Sequence, residues 1–132
     1  MRTEKRKFGD EGEGMAAAFL ARRGFRVLAR NARVPRIGEI DIVALDPASP
    51  KGLRGAGGGT LVFVEVKTRR NRAFGPPEEA VTPAKLRTLA RCAEAWRNAK
   101  GWTARPWRVD VVAVDLSSGR GEIRHLENVE LR

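Results

Sequence analysis

Two stretches of this 132-residue chain carry acids where apolar residues are expected. One is Leu61-Val62-Phe63-Val64-Glu65-Val66-Lys67-Thr68-Arg69, an apolar lead that runs into charge. Such a lead marks a strand buried on both faces. Side chains alternate across a strand, so Phe63, Glu65 and Lys67 share one face while Val64 and Val66 point to the other. The other stretch is Ile37-Gly38-Glu39-Ile40-Asp41-Ile42-Val43-Ala44, which sets Glu39 and Asp41 on one face of a second β-branched strand. Asp is a poor strand residue, and burying charge is costly unless it is paired or binds a metal. A salt bridge at a sheet edge would explain one such strand. Two of them, joined by one connection, point to a converging site.

Asp41 and Glu65, with the backbone carbonyl of Val66, form an all-oxygen ligand set that suits Mg²⁺ or Mn²⁺. A divalent ion lowers the pKa of its water and stabilises charge on a phosphate under in-line attack. Lys67, on the face of Glu65, can orient or deprotonate that water and stabilise the developing charge. The expected reaction is hydrolysis of a phosphodiester. Asp110, in a third β-branched run, is a candidate for the same site, although one acid near a strand start is more often structural.

The charge balance fits that chemistry. Lys and Arg number 26 against 16 Asp and Glu, a formal charge of +10. This excess favours a polyanionic partner, and nucleic acid is the commonest. Membranes are disfavoured, because no helix pairs a basic face with a large apolar one. The single cysteine, Cys92, excludes an internal disulfide and a Cys-cluster metal site, and the single histidine, His125, excludes a His-rich zinc site. There is no apolar run of transmembrane length and no signal peptide, so a cytoplasmic protein is expected.

The elements that must position these residues make one domain over residues 1–132 with the order αβββαββ, a mixed sheet flanked by helices. Residues 1–8 read as a flexible basic tail. The first helix is expected over Asp10–Arg23, capped by Asp10 and stopped by Gly24. Glu13 shares its small apolar face with Ala16, Ala17 and Leu20, which would let the helix approach the sheet and hang Glu13 over the site. Phe25–Arg30 reads as a strand and Asn31–Arg36 as a basic turn. Residues 46–60 read as a Gly/Pro-rich hairpin insert, with no Gly-Lys-Ser/Thr to make it a phosphate loop. Arg69, Arg70 and Arg72 follow the Lys67 strand and are expected to contact phosphates, as are Arg33, Arg36 and Lys85. A second helix runs from the N-cap Thr82 and Pro83 to Gly101, with a staple of Val81 on Leu86. Trp107–Val114 and Glu122–Leu126 are the last strands, with His125 expected to be exposed.

Gly38-Glu39-Ile40-Asp41-Ile42-Val43-Ala44 and Val62-Phe63-Val64-Glu65-Val66-Lys67-Thr68-Arg69 resemble the YraN-like family. Glu13, Asn31, Phe74-Gly75-Pro76 with Val81 and Lys85, and Val109-Asp110-Val111-Val112 extend the likeness over nearly the whole chain. That family resembles the restriction-endonuclease-like, or PD-(D/E)xK, nucleases, and among them the archaeal Holliday-junction resolvases. The resemblance implies a restriction-endonuclease-like core and a metal-dependent site of Glu13, Asp41, Glu65 and Lys67. It adds Glu13 to the metal ligands and Lys85 as an accessory group. Glu39 matches the family motif without a settled role. Ile40, not Pro, precedes Asp41, and the Gly-rich insert at 52–59 is longer than the family usually has.

Two readings follow. The first is a Mg²⁺- or Mn²⁺-dependent endonuclease acting on DNA, with branched DNA the narrower expectation. The second is a nucleic-acid-binding protein that keeps the scaffold without catalysis. Symmetric cutting of a junction would favour a two-fold homodimer.

Overall fold

The computed structural model describes residues 4–48, 59–71, 73 and 75–129. The expected insert tip and Arg72 lie outside the described residues. The chain runs α1 (Glu4–Arg22), β1 (Arg26–Val34), β2 (Gly38–Asp46), β3 (Thr60–Arg69), a 3₁₀ turn (Pro77–Ala80), α2 (Pro83–Lys100), β4 (Trp107–Asp115) and β5 (Glu122–Leu126). The strands form one mixed sheet in sequential order. All neighbours are antiparallel except β3 and β4, which are parallel. A parallel pair needs a long crossover, and α2 supplies it.

The helices lie on opposite faces of the sheet. Ala16 and Leu20 of α1 pack with Phe25, Ile42, Val62, Val64, Val66, Val112 and Val114. Leu86, Leu89, Cys92 and Ala93 of α2 pack with Val43, Leu61, Phe63 and Val109. β3 is central and apolar on both faces, as its sequence requires, until Glu65. Cys92 is a small buried hydrophobe.

α2 follows its local signals. Thr82 Oγ1 accepts from Lys85 N at 3.2 Å, Pro83 opens the helix, and Gly101 closes it. α1 departs from expectation at its start. It begins at Glu4, so the anticipated cap Asp10 lies inside the helix, and residues 4–8 continue it rather than forming a loose tail. Glu, Lys and Arg are good helix formers, and their propensity carries the helix past a residue suited to capping. Its end is as expected. Gly24 has φ +90°, and Phe25 N donates to Leu20 O at 3.0 Å, the bond that closes a left-handed helix stop.

β1 is also longer than its pattern suggests. Asn31 to Val34, expected as a turn, belong to the strand and pair with β2 down to Val34↔Gly38. Asn31 sits in that strand at φ 51°, a left-handed conformation that side chains rarely take. No described helix is long and apolar enough to cross a membrane.

Candidate functional site

The acids meet where two strands part. β2 and β3 pair from Asp46↔Thr60 to Ile42↔Val64, and the ladder stops there. β2 continues beside β1 to Gly38, while β3 continues beside β4 to Arg69. Asp41 and Glu65 are the next residues on each side of this fork. The Asp41 carboxylate fills the gap, since its Oδ2 accepts from Val66 N at 2.8 Å. A side chain thus replaces the missing ladder bond, which fixes Asp41 beside Val66 and explains an aspartate in a β-branched strand.

An open cavity of about 330 Å³ lies over the fork, lined by Glu39, Asp41, Glu65, Lys85, Thr88 and Leu89 among others. Its floor is the sheet and its wall is the first half of α2. Alternation places Glu65 and Lys67 on this face. Lys67 Nζ is 4.0 Å from Glu65 Oε1, and both side chains are about four-fifths buried, with 21% and 17% exposed.

Electrostatics ties these groups into a single unit. Burial, then the nearby Asp41 carboxylate, pushes Glu65 up to about 7. Burial also raises Asp41, against the opposing pull of the Val66 N–H, Lys67 and Lys85. Lys67 is pushed down by burial and by the neighbouring Lys85 amine. Crowded carboxylates and crowded ammonium groups therefore face each other across the fork, each weakening its neighbour's charge.

Glu13 reaches this cluster from α1. Burial, then Asp41, raises it to about 7. The helix can come so close because residue 12 is glycine. A Cβ there would lie 1.9 Å from Thr68 Oγ1. Asn31 secures Glu13 laterally. Its amide nitrogen must face the acids, since its oxygen would repel them, and it then donates to Glu13 Oε1 at 2.8 Å and to Glu39 Oε1 at 3.2 Å. The β1–β2 register sets Asn31 opposite Asp41, between the pairs Arg30↔Ile42 and Ala32↔Ile40.

The expected residues are thus distributed as follows. Asp41, Glu65, Lys67 and Lys85 come together, and Glu13 and Glu39 join them through Asp41 and Asn31. Among the described residues, no three acidic, histidine or cysteine side chains converge as a ready metal cage. Glu13 is therefore a neighbour of Asp41 and not a third member of the Asp41–Glu65 pair. The pair still fits a hard divalent ion of the magnesium type. Such ions are commonly held by one or two carboxylates, with waters and substrate phosphates completing the shell. The raised proton affinity of Glu65 marks negative charge that the lysines leave uncompensated.

Asp110 belongs elsewhere. It is fully buried on the α1 face, where it accepts from Arg108 Nε at 2.9 Å, His125 Nε2 at 2.7 Å and Asn128 N at 2.9 Å. His125 is not exposed as expected. Its side chain is 2% exposed and rests edge-on against Phe19 and Phe25. Arg33 and Arg36 flank Glu39 around a separate surface pocket, while Arg69 is the last residue of β3 and Arg70 follows it. Sequence reasoning missed Asn31 as a site residue. Its signals were its place in the family resemblance and its type, since Asn tolerates the left-handed region better than most residues.

A five-stranded mixed sheet with a helix on each face, and acids beside a lysine at its central fork, is compatible with a restriction-endonuclease-like core. The chain matches the family described as "Uncharacterised protein family UPF0102" over residues 12–114. A UPF0102 protein of Symbiobacterium thermophilum is 47% identical over 124 residues, 93% of this chain and 95% of that one. One of Renibacterium salmoninarum is 43% identical over 130 residues, 98% and 99% of the two chains. One of Pelobacter propionicus is 42% identical over 128 residues, 96% and 84% of the two chains. The chain belongs to the UPF0102, or YraN-like, family.

Proposed function

We propose that this chain is a metal-dependent endonuclease that hydrolyses phosphodiester bonds in DNA, with branched DNA as the narrower substrate class. The observation that carries this reading is the Asp41–Glu65 pair at the β2–β3 fork, desolvated and faced by Lys67. Asp41 and Glu65 would hold Mg²⁺ or Mn²⁺, with the Val66 carbonyl as a further donor. When bound, such an ion supplies an activated water and stabilises phosphate charge.

The chain's own groups do the rest. The Val66 N–H keeps Asp41 aimed into the fork. Lys67 has a weakened hold on its proton, so Nζ is suited to take one from water or to stabilise a developing oxyanion. Lys85 stands at the cavity wall, where a phosphate entering the site would meet it beside Lys67. Glu13 holds or releases a proton near neutral pH beside Asp41. Arg33, Arg36, Arg69 and Arg70 are the proposed phosphate contacts outside the cavity, and Arg72, which lies outside the described residues, is proposed with them from its place in the sequence.

A binding protein without catalysis is the second reading, and the basic balance of the chain is what both readings share. Against it, carboxylates facing a phosphate only weaken binding. The deciding experiment is a panel of linear, nicked and branched DNA, with matching RNA, incubated with Mg²⁺ or Mn²⁺. Cleavage that disappears in Asp41→Ala and Glu65→Ala, with binding kept or improved, supports the enzyme. Binding without cleavage of any substrate leaves the second reading. The arginines are tested separately: replacing Arg69 and Arg70 should reduce the slope of log affinity against log salt by about one per lost contact.

A further inference from the structure

All three tryptophans of the chain lie between residues 96 and 107, and the fold gathers them at the far end of α2. Trp96 and Trp102 meet edge to face at 5.6 Å, and Phe63 touches Trp96 at 5.8 Å and Trp107 at 6.1 Å. None of the three is buried; each is partly exposed. Each also carries a cation on its ring. Arg97 lies 4.9 Å from the Trp107 centroid, Arg105 4.9 Å from that of Trp102, and Lys100 5.5 Å from that of Trp96.

All three indoles rest against the core on the α2 face, yet each stays partly exposed beside a cation. Partly exposed indoles that alternate with cations at a surface are the combination by which proteins stack unpaired bases and hold the phosphates between them. A cavity of about 380 Å³ opens beside Trp107, lined by Arg91, Arg97, Asn98 and Thr103 among others. Arg97 is positioned there by its own fold contacts. Its Nη2 donates to Thr103 O at 2.7 Å, while its Nε is buried without an acceptor. Among the described residues that line it, Arg91 and Arg97 outnumber the one acid, Glu94, so the local charge is positive.

The surface is also joined to the acid site by α2. Lys85 and Thr88 line the acid cavity, and Arg97 and Asn98 line this one. From Lys85 to Asn98 the helix advances about 20 Å, with exposed Arg87 and Arg91 between them. That is the length of roughly six nucleotides at about 3.4 Å each.

We propose that this tryptophan–arginine surface binds an unpaired segment of nucleic acid whose continuation crosses α2 to the acid cavity. A duplex hides its base faces inside the stack, so the indoles select single strands. The proposal rests on nucleic acid being the partner, and not on cleavage.

The test is equilibrium binding of a labelled twelve-nucleotide DNA with no self-complementarity, beside the same sequence as a duplex, in EDTA. Tryptophan emission is read in parallel, since every tryptophan of the chain reports on this surface. The expected result is tighter binding of the single strand, with quenching. Arg105→Glu and Lys100→Glu should each weaken the single strand about tenfold and the duplex much less. Arg120→Glu, in the exposed β4–β5 turn, controls for net charge and should change little. Trp102→Ala should lose affinity and part of the quenching; should it fail to fold, the two charge reversals decide alone. Equal weakening of both DNA forms, or binding untouched by the reversals, overturns the proposal. Absence of binding to any oligonucleotide overturns the nucleic-acid reading as a whole, whereas a failure to cut DNA leaves this result where it stands.

Discussion

The amide of Asn31 lies 2.8 Å from Glu13 Oε1 and donates to it, linking β1 to α1 across the rim of the acid cluster. The same nitrogen serves Glu39, so one neutral donor holds two like charges side by side. To do so Asn31 takes φ 51° within a strand. For a residue with a Cβ this conformation costs roughly 1–2 kcal/mol, and Asn bears it better than most. Strain retained next to a cluster of acids has a use there.

Substitutions separate the strain from the hydrogen bonds. Asn31→Gly keeps the backbone and removes the amide, while Asn31→Ala removes the amide and keeps the strain. In urea unfolding, Asn31→Ala should be less stable than Asn31→Gly by about 1 kcal/mol. If the chain cleaves DNA, both should fall to the rate of Glu13→Gln, and the Asn31→Gly/Glu13→Gln double variant should be no worse than Glu13→Gln alone. Full activity in Asn31→Gly would show that the link has no bearing on chemistry.

Stability should fall as pH rises through neutrality. Glu13 and Glu65 are held near 7 in the fold, above an ordinary value of 4.5. Between those values the folded chain binds more protons than the unfolded one. Their contribution is therefore fully present below about 4.5 and is lost as pH passes 7. Glu13 is only partly buried and Glu65 stands against Asp41, so the combined change is on the order of 1–3 kcal/mol, well under the full conversion. Asp110, held low by His125 and Arg108 against the cost of burial, acts in the opposite sense only below the usual aspartate range. Urea midpoints in EDTA at pH 5 and pH 8 measure the difference, and Glu13→Gln/Glu65→Gln should flatten it. On the proposed function, millimolar Mn²⁺ should restore stability at pH 8. A midpoint higher at pH 8 than at pH 5 without metal would contradict the crowding of these acids.

Gly12 should resist a change that usually helps. Glycine inside a helix is about 1 kcal/mol less favourable than alanine, so Gly→Ala on a free helix surface is stabilising. At this position the new Cβ would meet Thr68 Oγ1 at 1.9 Å and Thr68 Cβ at 2.9 Å. α1 would have to lift from β3, carrying Glu13 away from Asp41. Gly12→Ala should destabilise by about 1–3 kcal/mol, and Gly9→Ala, where nothing lies within 4 Å, should not. Thermal melts of the two variants decide the matter, and equal melting temperatures would mean that α1 is not seated on Thr68.

What could be read in the sequence was whatever local chemistry decides. Thr82, Pro83 and Gly101 bound α2 because capping is settled within a few residues. Glu65 and Asp41 stood out because charge between branched apolar residues needs a partner wherever the strand lies. What could not be read depends on contacts distant in the chain. Asn31 looks like a turn residue until Asp41 is known to lie opposite it. His125 looks exposed on a short edge strand until Phe19, Phe25 and Asp110 close over it. The start of α1 was misplaced because a good cap competes weakly with helix-forming neighbours on both sides. The gathering of Glu13 as a third ligand came from the resemblance, and the backbone leaves it one neighbour removed from Glu65.

Asp110 and Glu65 lie on adjacent strands and opposite faces of the sheet, and their roles should separate in stability measurements. Asp110 has a donor on every side, and the Arg108 that pairs with it also reaches Asp46 at 3.0 Å. Removing the carboxylate leaves His125, Asn128 N and part of a guanidinium without their acceptor in a dry setting. Breaking a buried pair from one side costs about 3–5 kcal/mol, so Asp110→Ala should be among the most damaging single changes in the chain. Glu65 is buried with too little compensation, and its loss relieves repulsion on Asp41. Glu65→Ala should therefore leave stability unchanged or raise it at pH 8, even as it removes any cleavage. The measurement is urea unfolding of both variants at one pH, with circular dichroism before denaturant as a check that each is folded. Comparable losses in the two would mean that Glu65, like Asp110, serves to hold the sheet together, and the site at the fork would lose its chemical meaning.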